Sequence, residues 1–168
     1  MEIIKATLQD IPKLEKLINS AYRGDESRKG WTTEADFLEG KRTDAKTLAG
    51  IINEPGSVIL KHTDGDEITG CVYLKKNNSK MYLGMLTVAP ILQAAGIGKR
   101  ILKASEQYAL EQKFEAIEMR VISLRHELID WYVRHGYYDT GIKIPFPADE
   151  TLSKLLQPLE FIMMEKKL

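Results

Sequence analysis

Residues 81–112, MYLGMLTVAPILQAAGIGKRILKASEQYALEQ, decide the fold because three local patterns follow one another there without interruption. The first is an apolar run rich in β-forming residues, which ends near Pro90 because proline cannot donate a hydrogen bond to a sheet ladder. The second is a short segment that contains Gln93, Gly96 and Gly98. The third is a helical spacing of apolar residues that continues to Gln112. The stretch therefore predicts a strand, a glycine-containing turn and a helix.

The predicted turn suits the binding of an anion, because it leads directly into a helix. The first N–H groups of a helix have no partners within it, and the aligned peptide dipoles place partial positive charge there. A side chain at Gly96 or Gly98 would keep a phosphate away from the backbone. The spacing lacks the G-x-x-x-x-G-K-[ST] pattern of P-loops and the G-x-G-x-x-G pattern of dinucleotide folds. A turn without a ligand is the alternative interpretation.

A known signature matches this turn. Gln93-Ala94-Ala95-Gly96-Ile97-Gly98, after Leu86-Thr87-Val88-Ala89-Pro90, resembles the coenzyme A signature of the GCN5-related N-acetyltransferase (GNAT) superfamily. The resemblance implies that backbone N–H groups of residues 94–99 hold the CoA pyrophosphate. It also implies CoA contacts along the strand end and the turn, at Leu86, Thr87, Val88, Gln93, Ala94, Ala95, Gly96, Ile97, Gly98 and Lys99.

A second resemblance lies further along the chain, in Arg125-x-x-Leu128-x-x-Trp131-Tyr132-x-x-x-Gly136-Tyr137. This pattern is similar to the last motif of the superfamily, although many members carry asparagine in place of Arg125 and phenylalanine in place of Tyr137. The resemblance implies that Tyr132 is the catalytic acid and that Arg125 contacts the cofactor. On a helix these two residues share a face and lie about 10 Å apart along it. Spacing alone favours the interpretation of Tyr132 as an aromatic residue packed in the core. The occurrence of the two motifs in the order of the superfamily favours the catalytic role instead.

The composition limits the classes of protein that fit. A chain of 168 residues, 43% hydrophobic and 29% charged, suits one globular domain, and we expect a single N-acetyltransferase domain over residues 1–168. Lys and Arg number 24, as do Asp and Glu, and this balance argues against nucleic-acid and anionic-membrane partners. Because no run approaches about 20 apolar residues, we expect no membrane span and a cytoplasmic location.

Cys71 is the only cysteine of the chain. A single cysteine excludes an internal disulfide and a cysteine-built metal site, which fits a reduced protein. Its place in an alternating apolar pattern favours a packed strand residue over a nucleophile, since no basic partner is apparent.

Hydrophobic periodicity along the rest of the chain predicts a mixed α/β (α+β) architecture. Strands are predicted at residues 2–6, 57–62, 67–74, 81–88, 114–122, 137–142 and 159–165. Helices are predicted at residues 7–21, 33–38, 43–54, 96–112 and 124–135, the last capped by Ser123, with a short helical piece at 150–156. Residues 22–31 are polar and are predicted to form a loop. With the resemblance, this order predicts the N-acetyltransferase fold, a mixed, mainly antiparallel sheet with helices on both faces.

The reaction that the resemblance implies requires few catalytic groups from the protein. A primary amine attacks the thioester of acetyl-CoA, the implied co-substrate, and a thiolate leaves without any metal. Tyrosine has an ordinary pKa near 10, so Tyr132 is protonated at pH 7 and can protonate the thiolate. A backbone N–H within residues 86–88 could stabilise the carbonyl oxygen as it gains charge. The strand at 81–88 has no carboxylate, and Glu118 and Glu127 are better explained as surface charges than as the base.

The acceptor is expected to contact the segment after the first helix, because superfamily members bind it there and near the closing strands. Trp31–Glu34 and Arg42-Thr43 combine an aromatic ring with both signs of charge, which suits a small zwitterionic or acidic amine. We therefore expect residues 31–43 to contact the acceptor and not the cofactor, an ordinary solvated loop being the alternative.

The function that follows is acetyl transfer from acetyl-CoA to a primary amine of a small molecule. A protein N-terminus or lysine as the acceptor is one alternative, and a non-catalytic acyl-CoA-binding module is another. The sequence does not decide between a monomer and a homodimer.

Overall fold

A seven-stranded sheet lies at the centre of the protein in the computed structural model, which describes residues 1–147 and 153–168. Its strands are β1 (Glu2–Lys5), β3 (Ser57–Asp64), β4 (Glu67–Asn77), β5 (Lys80–Val88), β6 (Ala116–Ile122), β7 (Tyr138–Pro145) and β9 (Glu160–Lys167). They are ordered β1-β3-β4-β5-β6-β9-β7, with β5 and β6 parallel and the other neighbours antiparallel. The short strands β2 (Leu38–Gly40) and β8 (Ser153–Leu155) pair with each other. The predicted mainly antiparallel sheet is confirmed.

Helices cover both faces of this sheet. They are α1 (Ile11–Tyr22), α2 (Gly24–Ser27), α3 (Ala45–Asn53), α4 (Ile97–Glu111) and α5 (His126–Arg134). Leu14 and Ile18 of α1 and Leu48 of α3 are buried in the core on one face. Ile101 and Ala109 of α4 are buried in the core on the other. Within the described residues, no helix is long and apolar enough to cross a membrane.

Strand β5 contains a bulge that reverses which face its side chains occupy. Tyr73 of β4 lies opposite Gly84, whereas Cys71 lies opposite Thr87, so β5 has one residue more than β4 over this interval. Met85 takes up the irregularity with a φ of 51°, which is unusual for a residue other than glycine. Before the bulge, Leu83 faces the core under α4, and after it Met85 faces the core under α1. A glycine within a strand pattern signals such a bulge, and Gly84 carried that signal.

Several predicted elements differ from the structure because pairing between distant segments overrides local preference. Residues 33–38 were expected to be helical, but Leu38–Gly40 forms a strand with Ser153–Leu155. That pairing also replaces part of the helical piece expected at 150–156, of which residues 150–152 lie outside the described residues. The expected loop at 22–31 contains the short helix α2. Ser123 does not cap α5, because the helix begins at His126 and Arg125 occupies its N-cap position. The N–H of Ser123 bonds instead to the carbonyl of Glu160 on β9.

The helix α3 illustrates how capping and burial place an element. Asp44 accepts a hydrogen bond from the N–H of Thr47 at 2.8 Å, so it caps the helix at the predicted position. Leu48 is completely buried against the sheet. Cys71 is also buried there, which raises the pKa of its thiol to about 12 and agrees with its prediction as a packing residue.

We expect Leu48→Ala to lower the free energy of unfolding by about 2–5 kcal/mol, because it leaves a cavity between α3 and the sheet. Urea denaturation followed by circular dichroism measures this loss. Lys46→Ala on the exposed face of the same helix is the control and should change the value by less than about 0.5 kcal/mol. Equal effects of the two substitutions would contradict the assignment of Leu48 to the core.

Candidate active site

The candidate site lies where strands β5 and β6 separate. These parallel strands pair only at Met81 with Ile117 and at Tyr82 with Glu118. Beyond Tyr82 the two strands diverge, and two cavities of about 470 and 220 Å³ open beside them. Five residues line both cavities and so mark their junction: Tyr22, Leu86, Arg125, Leu128 and Tyr132. Two ligands that occupied the cavities would meet at this junction.

The larger cavity contains most of the predicted cofactor residues. Those that line it are Leu86, Val88, Gln93, Ala94, Gly96, Gly98, Lys99 and Arg125. Three others do not line it. Thr87 is buried on the opposite side of the strand and donates to the carbonyl of Met85 at 2.8 Å, Ile97 is in the core, and Ala95 is exposed to solvent.

The turn before α4 leaves room for a ligand at the start of the helix. Ala94 and Gly96 have φ angles of 69° and 84°, so the backbone turns sharply before the first helical N–H groups. A Cβ atom built on Gly96 would meet nothing within 4 Å, and one built on Gly98 would lie 3.5 Å from the ring of Trp131. The N-terminus of this 15-residue helix and Lys99 both favour an anion at that position. The turn therefore fits a diphosphate such as that of CoA.

Gln93 connects this turn to the segment of residues 31–34. Its side-chain oxygen accepts from the N–H groups of Trp31 at 2.7 Å and Thr32 at 3.2 Å. Its side-chain nitrogen donates to the hydroxyl of Thr32 at 2.7 Å and to the carbonyl of Val88 at 3.1 Å. Since both amide atoms are occupied, the side chain holds segment 31–34 against the end of β5.

A buried ion-pair network fixes the other end of segment 31–34. Glu34 binds Arg23 with one carboxylate oxygen and Arg125 with the other, the latter at 2.9 Å. Arg125 also donates to the carbonyl of Thr32 at 2.6 Å and lies 5.7 Å from the ring centre of Tyr22. All three charged side chains are at most 8% exposed. Buried charges of this kind are stable only when paired, so Arg125 positions segment 31–34 as well as lining both cavities.

Tyr132 lies on α5 at the junction of the two cavities. Its ring packs edge-on against Trp131 at 5.2 Å and Tyr137 at 5.7 Å between centres, and the residue is 5% exposed. Burial raises the pKa of the Tyr132 hydroxyl well above its ordinary value, with a further rise from Tyr22 and an opposing effect of the Arg125 charge. The hydroxyl is therefore protonated throughout the neutral and mildly alkaline range.

The segment expected to contact the acceptor is divided between the two cavities. Trp31 and Thr32 line the larger cavity, and the ring centre of Trp31 lies 6.3 Å from that of Trp131. Glu34 and Arg42 line the smaller one. Phe161, on a closing strand where the acceptor was also expected, lines the smaller cavity. Four further residues in its wall had no signal in the sequence, because the fold brings them together from distant segments: Tyr22, Arg23, Tyr82 and Arg120.

Carboxylates that could act as a base are few near the junction. Among the described residues, Glu34 is the only carboxylate in the wall of the smaller cavity, and two arginines bind it. Glu118 accepts a hydrogen bond from Asn77 at 2.6 Å outside both cavities, and Glu127 lines the larger one. The described part of the chain also holds no cluster of three His, Cys, Asp or Glu side chains suited to a metal ion.

Solved structures with similar folds are numerous. The ribosomal-protein-S18-alanine N-acetyltransferase from Escherichia coli superposes with a TM-score of 0.75 and 13% identity over 99% of this chain and 92% of that chain. The paia N-acetyltransferase from Thermoplasma acidophilum, in complex with coenzyme A, superposes with a TM-score of 0.71 and 17% identity. The match covers 99% of this chain and 98% of that chain. The structure of yncA from Salmonella typhimurium with acetyl-CoA superposes with a TM-score of 0.72 and 15% identity. The match covers 99% of this chain and 93% of that chain. At these identities the similarity shows the fold.

Sequence comparison identifies the family. A search of curated proteins gave no match to this chain. The family model described as an acetyltransferase (GNAT) domain matches residues 22–145, which include the turn before α4, Arg125 and Tyr132. The protein therefore belongs to the GNAT acetyltransferase family and is an acetyl-CoA-dependent acyltransferase.

Proposed function

We propose that this protein transfers the acetyl group of acetyl-CoA to a primary amine of a small molecule. The observation that carries the proposal is the meeting of two cavities at Tyr132 and Leu86. The larger cavity would take the cofactor and the smaller one the acceptor. An amine in the smaller cavity would then reach a thioester in the larger one across their junction, and such positioning supplies much of the rate.

The larger cavity supports the proposed cofactor site through its turn and its walls. The N–H groups at the start of α4, with Lys99, would hold the pyrophosphate, and the rings of Trp31 and Trp131 would border it. Arg125 contacts Thr32 and Glu34, so its proposed role toward the cofactor includes keeping segment 31–34 closed over it. When bound, acetyl-CoA supplies the acetyl group as a thioester.

Tyr132 is the proposed proton donor to the departing thiolate. It lies at the junction, and its hydroxyl is protonated because burial disfavours the phenolate. Because the raised pKa disfavours a free phenolate, the hydroxyl should first hydrogen-bond to the sulfur as negative charge forms there. It then transfers its proton to the thiolate as the phenolate is reprotonated from water. The nearby Arg125 charge favours negative charge on the Tyr132 oxygen.

The bulge in β5 supports a second role for this strand. Beyond Tyr82 the edge of β5 that faces β6 has no strand partner among the described residues, so backbone groups there are available to a ligand. We propose that an N–H within residues 86–88 stabilises the carbonyl oxygen as it gains charge. Tyr22 donates its hydroxyl to the carbonyl of Leu86 and holds the strand in this position.

The acceptor amine should lose its proton to water, because Glu34 is engaged by two arginines. The size of the smaller cavity, about 220 Å³, supports a small acceptor, since typical ligand pockets span about 300–1,000 Å³. Phe146 and Phe161 stack at 4.9 Å in its wall and limit its depth. A protein acceptor, as in the ribosomal-protein acetyltransferase of similar fold, would have to present an amine on a thin terminus.

Gly98→Val should weaken CoA binding by at least about tenfold, because the larger side chain enters the cavity beside Trp131. Calorimetry with CoA measures the dissociation constant. Gly50→Val, on the exposed side of α3 with nothing within 4 Å of its Cβ, is the matched control and should bind CoA like the natural protein. An unchanged affinity in a folded Gly98→Val protein would exclude this turn as the pyrophosphate site.

Tyr132→Phe should reduce kcat by about a hundred- to ten-thousandfold while leaving the affinity for CoA nearly unchanged, because only the proton donor is lost. Thiol release from acetyl-CoA with a reactive amine measures turnover. Tyr137→Phe is the control, since this neighbouring hydroxyl bonds to Glu106 and lines neither cavity. Turnover of Tyr132→Phe at the natural rate, with chemistry rate-limiting, would assign Tyr132 to packing alone.

The pH dependence should show no loss of activity on the alkaline side below about pH 10, because burial raises the pKa of Tyr132 above its ordinary value. The ratio kcat/KM should instead rise with pH as the amine loses its proton. Rate profiles from pH 6 to 9.5, in buffers of constant ionic strength, provide the measurement. A decline within this range that disappears in Tyr132→Phe would contradict the raised pKa.

A further inference from the structure

The smaller cavity concentrates positive charge. Of the charged side chains that line it among the described residues, four are arginines and one is a carboxylate: Arg23, Arg42, Arg120, Arg125 and Glu34. The whole chain carries 24 basic and 24 acidic side chains, so the excess is local to this cavity. A cleft lined by one sign of charge attracts ligands of the opposite sign.

Glu34 satisfies only two of these four arginines. It binds Arg23 and Arg125, and within residues 1–147 and 153–168 neither Arg42 nor Arg120 forms an ion pair. Arg42 is half-buried, with its guanidinium 5.8 Å from the ring centre of Tyr22. Removing a cation from water without a partner is unfavourable, so a half-buried guanidinium of this kind is poised for an anion.

Arg23 adds a further donor to the wall of this cavity. The residue is 7% exposed, and its Nε atom has no hydrogen-bond partner among the described residues. Buried donors normally find partners, so this N–H is available to a water molecule or a ligand. Arg23 therefore lies in the same cavity wall as Arg42 and Arg120, and its Nε–H group is available as a hydrogen-bond donor.

We propose that the acceptor is a small primary amine that also carries an anionic oxygen-bearing group, a carboxylate or a phosphate, bound by Arg42 and Arg120. The inference rests on the proposed function, because it assigns the smaller cavity to the acceptor. The amine lies at the junction beside Tyr132 and Leu86, and the anionic group lies toward the arginines. Guanidinium groups match such anions because their planar fork donates two parallel hydrogen bonds.

The test compares amines with and without the anionic group. One pair is 4-aminobutyrate and its amide, and the other is phosphoethanolamine and ethanolamine. Thiol release from acetyl-CoA gives kcat/KM for each. The charged member of at least one pair should be preferred by about ten- to hundredfold, since hydrogen bonds to charged groups are the stronger ones. The pair that shows the preference distinguishes carboxylate from phosphate.

Substitution of the arginines locates the preference. Arg42→Gln and Arg120→Gln should each raise KM for the charged amine and leave both KM for its neutral counterpart and the affinity for CoA unchanged. Arg28→Gln is the matched control, because Arg28 pairs with Asp36 on the surface and lines neither cavity. The inference is overturned if the natural protein shows a ratio of kcat/KM between charged and neutral amine near one in both pairs. It is also overturned if both substitutions leave that ratio unchanged.

A binding measurement separates this inference from the proposed function. If no amine of the panel is acetylated, glutarate and inorganic phosphate are each titrated into the CoA complex of the natural protein and of Arg42→Gln. Binding that weakens by about tenfold or more in Arg42→Gln supports the anion site and places the failure in the proposed reaction. Absent or unaltered binding of both anions overturns the inference.

Discussion

The rest of the site depends on one constraint: strands β5 and β6 separate after only two residue pairs of their ladder. Parallel strands that stayed paired would bury their edges in each other and leave no space between them. Here the bulge at Met85 redirects β5, and β6 continues along β9 instead. The exposed strand edges and the two cavities are consequences of this one divergence.

Segment 31–34 turns the open space into an enclosed one. Gln93 holds its beginning through backbone N–H groups, and the pair of arginines on Glu34 holds its end. One short segment thereby takes part in both cavities, with Trp31 in the wall of the larger and Glu34 in that of the smaller. The two cavities share this segment as a wall, so a change in it affects both.

The sequence predicted the elements whose signals are local. The strand, turn and helix of residues 81–112 and the cap at Asp44 follow from periodicity, glycine and capping chemistry within a few residues. The strand at Leu38–Gly40 was missed because its partner is far along the chain. The arginine-rich cavity was missed for the same reason, since Arg23 and Arg120 become neighbours only after the sheet has formed. The sequence placed Gln93 in the turn between β5 and α4, but no local signal predicted its hydrogen bonds to segment 31–34.

The ties between segment 31–34 and the rest of the chain also affect how the protein acquires its structure. Glu34 and Arg125 are separated by 91 positions, and Leu38 pairs with Leu155 still further along. Contacts between such distant segments form late and slow the folding of a chain, because a long loop must close first. During synthesis, residues 23–42 emerge from the ribosome long before their partners exist. The pairing of Leu38–Gly40 can thus form only after residues 153–155 have been synthesised.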